Sequence, residues 1–276
     1  MSSSKLLSNL ISVDWLYKNL EADNLVVLDA TIPKVSGTLD DYTNKLIPRS
    51  QFFDIKGSFS DSNAEFPNTL PSKAQFQSEV RKLGINRGTA IVVYDAHGLY
   101  SSARAWWLFK HFGHHNIAVL DGGLPKWLSR GFSTSSQYKS TTTNGDFVAD
   151  DSERLFIHYD SINAYSKSLD HLIIDARSAK RFNGEVPEPR QGLRSGTLPN
   201  SINIPYTELL NNGCFKSKTA LLDIFESKID MQNTLVFSCG SGITACNLAL
   251  GASIAGYHNL LVYDGSWTEY GSLTKS

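Results

Sequence analysis

The sequence predicts an α/β protein made of two tandem domains, each a mostly parallel sheet flanked by helices. Three observations predict it. Short β-branched runs alternate with helix-like stretches, the pattern that builds parallel sheets. The chain also repeats itself: AIVVYDAHGLYSSARAWWLFKHFGHHNIAVLDGG at 90–123 and TLVFSCGSGITACNLALGASIAGYHNLLVYDGS at 234–266 agree at a constant spacing of 143 residues, pairing Val93 with Val236, Gly113 with Gly256 and Asp121 with Asp264. Shorter echoes precede each copy, VVLDA (26–30) with LIIDA (172–176) and IPRSQFF (47–53) with LPNSINI (198–204). Finally, residues 133–151 (STSSQYKSTTTNGDFVADD) are dense in Ser, Thr, Asn and Asp, a loop composition. The expected limits are therefore a first domain at 1–135, a linker at 136–155 and a second domain at 156–276.

The elements follow in order. Residues 25–28, 91–94 and 117–120 are apolar and rich in Val, Ile and Leu, as buried strands are. Residues 102–112 (SARAWWLFKHF) are long enough for a helix, and Trp106 and Trp107 on it are expected in the core. In the second copy, 234–237 reads as a strand and 244–255 as an apolar helix.

Composition narrows the function classes. Of 276 residues, 41% are hydrophobic and 19% charged, with a net charge of −1, which suits a soluble globular protein and gives no pull toward nucleic acid or a membrane surface. No apolar run reaches the roughly 18 residues of a membrane span. The beginning, MSSSKLLSNLISVDW, has one lysine and no sustained apolar core, so no signal peptide is expected. Three cysteines, Cys214, Cys239 and Cys246, are too few for a disulfide framework and point to a reducing cytoplasm. His111, His114 and His115 cluster, but no cysteine or carboxylate beside them completes a ligand set, so neither a metal nor a cofactor is expected. A monomer is expected.

Cys239 stands where a working thiol would. It closes an apolar strand and opens Cys-Gly-Ser-Gly before a helix. Ligands of open α/β sheets bind beyond the carboxyl ends of the strands. The N–H groups of a glycine-rich turn and the positive end of the following helix both favour an anion there, and the thiolate is the reactive form of the thiol. Cys246, within an apolar helix, and Cys214, in the loop NNGCFKS, read as structural.

Strand, Cys-Gly-Ser-Gly-Ile-Thr-Ala and helix, on the second of two duplicated domains, resembles the rhodanese superfamily of sulfurtransferases. So do DAR (175–177), RFNGEVPEPR (181–190), FFDI (52–55), GLYSSARAWWLF (98–109), LDGG (120–123) and YDGSW (263–267). The loop is similar to that of the branch using 3-mercaptopyruvate, whereas thiosulfate-using members typically carry Cys-Arg-Lys-Gly-Val-Thr. Related phosphatases have a loop one residue longer that ends in arginine, where this chain has Ala245. The resemblance implies two rhodanese-like domains, and a Cys239 that takes sulfur from mercaptopyruvate as a persulfide. It would release pyruvate and pass the sulfur to a thiol such as thioredoxin, or to cyanide. It implies that Gly240, Ser241, Gly242, Ile243 and Thr244 surround the persulfide, that Arg181 and Arg190 hold the substrate, and that Arg104 turns towards the site. Ala96 stands at the repeat position of Cys239, so the first domain is expected to be silent. Two alternatives stay open: thiosulfate as the donor, and a non-catalytic binding or redox module.

The chain departs from the family pattern in two places. Many relatives place an aspartate and a histidine, proposed partners of the loop serine, where this chain has Lys56 and Asn68. The usual His-Ile-Pro-Gly is Leu46-Ile47-Pro48-Arg49 in the first copy and Thr197-Leu198-Pro199-Asn200 in the second.

Overall fold

The structure, a computed structural model, describes residues 6, 8–35, 44–168, 170–229 and 234–275. The chain divides into two compact units. The first holds most of the chain up to Glu153; the second holds Arg154–Ser276 together with the short segment Ala64–Thr69.

The first unit contains strands β1 (Leu10–Ile11), β2 (Leu25–Asp29), β3 (Ser50–Phe52), β4 (Ala90–Tyr94) and β5 (Ile117–Leu120), and helices α1 (Val13–Asn19), α2 (Lys73–Lys82), α3 (Ser102–His111) and α4 (Gly123–Ser129). Its sheet is parallel throughout, in the order β1-β5-β4-β2-β3. The central strand β4 is buried along its whole length, which explains its continuous apolar run: helices cover both faces of such a sheet. Ser12 and Ser72 cap α1 and α2 through the N–H groups of Trp15 and Gln75. Trp106 and Trp107 are in the core, as expected from their place on α3.

The second unit contains β6 (Phe156–Ile157), α5 (Tyr159–Tyr165), β7 (His171–Asp175), α6 (Ala179–Phe182), β8 (Ser201–Asn203), β9 (Leu210–Asn211), β10 (Cys214–Phe215), α7 (Lys218–Glu226), β11 (Thr234–Ser238), α8 (Ala245–Ala255), β12 (Leu260–Tyr263) and α9 (Ser266–Leu273). Its parallel sheet runs β6-β12-β11-β7-β8, the same order strand for strand. The antiparallel pair β9–β10 has no counterpart among the described residues of the first unit. The copies agree even in their strain: Arg49 and Asn200, in equivalent turns before β3 and β8, both lie in the left-handed region, at φ 65 and 54. Asparagine tolerates that conformation and arginine does so at a cost of about 1 kcal/mol.

Residues 136–155, expected as a linker, are bound to the first unit for most of their length. The Lys139 N–H donates to Ser50, the Tyr138 hydroxyl to Asp29, the Gly145 N–H to Arg81, and the Asp150 N–H to Phe112. Phe147 is buried, edge-on to Phe76. The polar composition is that of a strap whose backbone is satisfied by its neighbours, and the units part at Glu153 and Arg154.

Candidate active site

The strand order of the second unit fixes where a ligand can enter. From β7 the chain moves to β8 on one side, and from β11 to β12 on the other. The connections diverge at the carboxyl ends of β7 and β11, and that divergence opens the crevice of a doubly wound sheet. Cys239 follows β11, and Arg177 and α6 follow β7.

Cys239 is 1% exposed. Beneath it lies a residue whose role the sequence did not disclose, Ser266 at the start of α9. Its Oγ accepts the N–H groups of Cys239 and Gly242, each at 3.1 Å, and donates to the Tyr263 carbonyl at 2.9 Å. Ser266 adopts φ 51 to do this, so the loop is pinned from below by a strained residue. Two further ties come from α9, the N–H of Trp267 to the Cys239 carbonyl and the N–H of Thr268 to the Gly240 carbonyl. Gly242 takes φ 73, open to glycine without penalty. Ser241 and Ile243 are buried, and Thr244 stands at the N-cap position of α8 without a side-chain capping bond. The N–H groups of Gly240, Ser241, Ile243 and Thr244 have no hydrogen-bond partner among the described residues, so they are available to an anion.

The first unit shows what this loop shape holds. Asp95 is the repeat partner of Ser238, one residue before the Ala96–Cys239 pair. Its carboxylate accepts the N–H of His97 at 2.9 Å, and those of Tyr100, Ser101 and Ser102 at 3.0, 3.0 and 2.9 Å. The first copy wraps its turn around a carboxylate of its own. In the second copy that position is Ser238, whose buried Oγ makes no hydrogen bond among the described residues.

Arg181 approaches the loop directly, and Arg190 is tied to it through Thr268. A β-carbon at Gly240 would come 3.1 Å from Nη2 of Arg181, so the guanidinium lies close over the loop backbone. Arg181 donates to Glu188, with Nη2 to Oε2 at 2.5 Å. The Glu188 side chain is fully buried and also accepts Arg177 Nη1 at 2.8 Å, while Arg177 pairs with Asp175 at 2.7 Å. Burial alone would lower the Arg177 guanidinium; Asp175 and Glu188 outweigh it and hold it above its ordinary value. Arg177 also lies 4.9 Å over the Trp267 ring, and Arg194 lies over the same ring at 4.6 Å. Arg181 keeps 24% of its side chain exposed, leaving donors for a ligand. Arg190 Nη1 donates to Thr268 Oγ1 at 3.2 Å, and Thr268 Oγ1 donates in turn to the Gly240 carbonyl.

Arg104 belongs to the first unit, buried on α3. Lys56 is exposed there, while Asn68 groups with the second unit and meets Ser241. Cys246 donates to the Gly242 carbonyl at 3.4 Å from within α8, and Cys214 sits in β10. His114 bonds the Thr89 carbonyl and His115 pairs with Glu153. Among the described residues no group of His, Cys, Asp and Glu could hold a metal ion. Signals for Ser266 and Glu188 were present in YDGSW and GEVPEPR, but only the fold gives them partners.

A family model described as a rhodanese-like domain matches twice, over residues 12–130 and 159–273. The human 3-mercaptopyruvate sulfurtransferase is 37% identical over 98% of this chain and 94% of its own. The mitochondrial thiosulfate/3-mercaptopyruvate sulfurtransferase 1 of Arabidopsis thaliana is 36% identical over 94% of this chain and 75% of its own. Among solved structures, the 3-mercaptopyruvate sulfurtransferase of Escherichia coli superposes with a TM-score of 0.82 at 31% identity, covering 94% of this chain and 99% of the other. Two matched domains, two sheets of one strand order and a cysteine at the carboxyl end of the second central strand place this chain in the rhodanese family.

Proposed function

We propose that the protein is a sulfurtransferase whose donor is 3-mercaptopyruvate and whose sulfur carrier is Cys239. The observation that carries this reading is the convergence of Arg181 and Arg190 on the Cys239 loop, Arg181 through its approach to Gly240 and Arg190 through Thr268. A planar guanidinium fork suits the carboxylate of an α-keto acid. The Cys239 thiolate attacks the sulfur of the donor. The S–S bond forms as the C–S bond breaks, and the electron pair leaves as the enolate of pyruvate, which takes up the thiol proton. The uncommitted N–H groups of the loop hold the negative persulfide. An acceptor thiol such as thioredoxin then takes the outer sulfur and restores the Cys239 thiolate. The first unit, with Ala96 in place of the cysteine and Asp95 filling its loop, carries no sulfur. The protein acts as a monomer in the reducing cytoplasm, a compartment that agrees with three cysteines present as thiols; among the described residues no helix is long and apolar enough to cross a membrane.

The test is donor loading followed by intact-mass spectrometry. Mercaptopyruvate adds one sulfur to the chain, on Cys239. Cys239→Ser abolishes loading, and Cys214→Ser and Cys246→Ser retain it. Arg181→Ala and Arg190→Ala each lower kcat/KM for mercaptopyruvate by roughly 10- to 1000-fold, the range for losing a guanidinium–carboxylate pair. Thiosulfate outperforming mercaptopyruvate, with both arginine variants losing the two activities equally, overturns this donor.

A further inference from the structure

We infer that Asn68 is a positioning residue that fixes the polarity of the Ser241 hydroxyl, so that Ser241 serves as a hydrogen-bond donor to the reacting substrate. This rests on the mercaptopyruvate reading above. Asn68 is 6% exposed, belongs to the second unit through Ala64–Thr69, and holds the left-handed conformation at φ 63, which asparagine tolerates. Its Nδ2 lies 3.1 Å from the Ser241 carbonyl oxygen and 3.1 Å from Ser241 Oγ. The carbonyl can only accept, so the amide nitrogen, and not the amide oxygen, must face the loop. An amide nitrogen has two hydrogens, and Ser241 accepts both. A hydroxyl has one hydrogen, and Ser241 Oγ, as an acceptor towards Asn68, must send that hydrogen elsewhere. Ser241 is two residues beyond Cys239, in the turn that Arg181 approaches at Gly240.

The reaction creates a need for such a donor. As the C–S bond breaks, the ketone oxygen of mercaptopyruvate gains the charge of an enolate, and a preorganised donor stabilises that charge more than it does the ketone. Because an amide does not titrate, Asn68 holds this polarity at every working pH. A histidine or carboxylate in its place would give or take the hydrogen according to its protonation.

The experiment compares two donors in four proteins: wild type, Asn68→Ala, Ser241→Ala and the double variant. Inorganic polysulfide loads Cys239 without forming an enolate, whereas mercaptopyruvate forms one. Asn68→Ala is expected to lose about 10- to 100-fold in kcat with mercaptopyruvate, less than the roughly 100- to 1000-fold for removing an oxyanion donor outright because the Ser241 hydroxyl remains, with KM changed less than about threefold. Its rate of persulfide formation from polysulfide is expected to fall far less. The double variant is expected to match Ser241→Ala, because Asn68 acts through that hydroxyl. Asn68→Asp, nearly isosteric and equally tolerant of the left-handed backbone, turns the donor into an acceptor and is expected to lose at least as much as Asn68→Ala. Equal losses with both donors, or additive losses in the double variant, overturn the proposal. A wild type that loads from polysulfide but not from mercaptopyruvate overturns the functional reading instead.

Discussion

Glu188 accepts hydrogen bonds from two arginines at once, Arg177 from the end of β7 and Arg181 from α6. The α6 helix has only four residues and no buried side chain of its own, so packing cannot hold Arg181 in place; the ion pair must. Glu188→Gln keeps the volume and removes the charge. Arg177 retains Asp175, but Arg181 loses its anchor. The expected outcome is a stability loss of about 2–4 kcal/mol by urea denaturation, below the full value of a buried pair because Arg181 is partly solvated. A fall in kcat/KM for mercaptopyruvate accompanies it. Unchanged stability would mean that the Arg181 pair is dispensable. At this scale the sequence was a partial guide. Cys239, Arg181 and Arg190 carry side chains whose chemistry announces itself; Arg181 lies close to Gly240, and Arg190 bonds Thr268, which bonds Gly240 in turn. Ser266 and Glu188 act through partners 27 and 11 residues away, and no residue type or spacing encodes such a pairing.

At the scale of the element, the two strand–turn–helix units differ in what fills the turn. Asp95 supplies four N–H groups with an acceptor in the first, while Ser238 supplies none in the second. Ser238→Asp should therefore transplant the internal anion. The expected result is a raised thermal midpoint together with loss of persulfide formation, although Cys239 itself is untouched; intact mass after donor treatment and a thermal melt check both. Persulfide formation at the wild-type rate would show that the turn amides do not hold the sulfur. The elements were largely legible. The strand expected at 117–120 is β5, and those expected at 25–28, 91–94 and 234–237 each extend by one residue. Long apolar runs declare themselves through burial alone. The two-residue strands β1 and β6 do not, since each exists only by pairing with β5 or β12.

For the whole molecule, the duplication was visible in the sequence because both copies preserve strand cores and turn glycines. The strap at 136–153 was not, because its polar composition is that of a loop while its backbone and several of its side chains bond to the first unit. The first unit also sets a pH limit. His114 is 4% exposed and contacts the Thr89 carbonyl at 2.9 Å. Burial, partly offset by that hydrogen bond, holds its imidazole below the ordinary value of 6.5. Below pH 6.5 the unfolded chain then binds a proton that the folded chain resists, so this contribution to stability is complete above that pH and declines as acid is added. The thermal midpoint should be lower at pH 5.5 than at pH 7.5, and His114→Asn should narrow the gap while lowering both values. An equal gap in the variant would assign the pH dependence to other groups.

The uncommitted amides of the Cys239 turn bear on how long the protein lasts in a cell. A turn that carries its own carboxylate is complete once folded, as in the first unit. A turn that awaits its anion is complete only when loaded, and a persulfide anion held better by the native turn than by the unfolded chain stabilises the native state by that difference. The resting enzyme is then its own least durable form, and the sulfur-bearing intermediate the most durable. Supply of the donor would govern turnover of the enzyme as well as turnover by it: a cell starved of donor would clear the idle protein fastest.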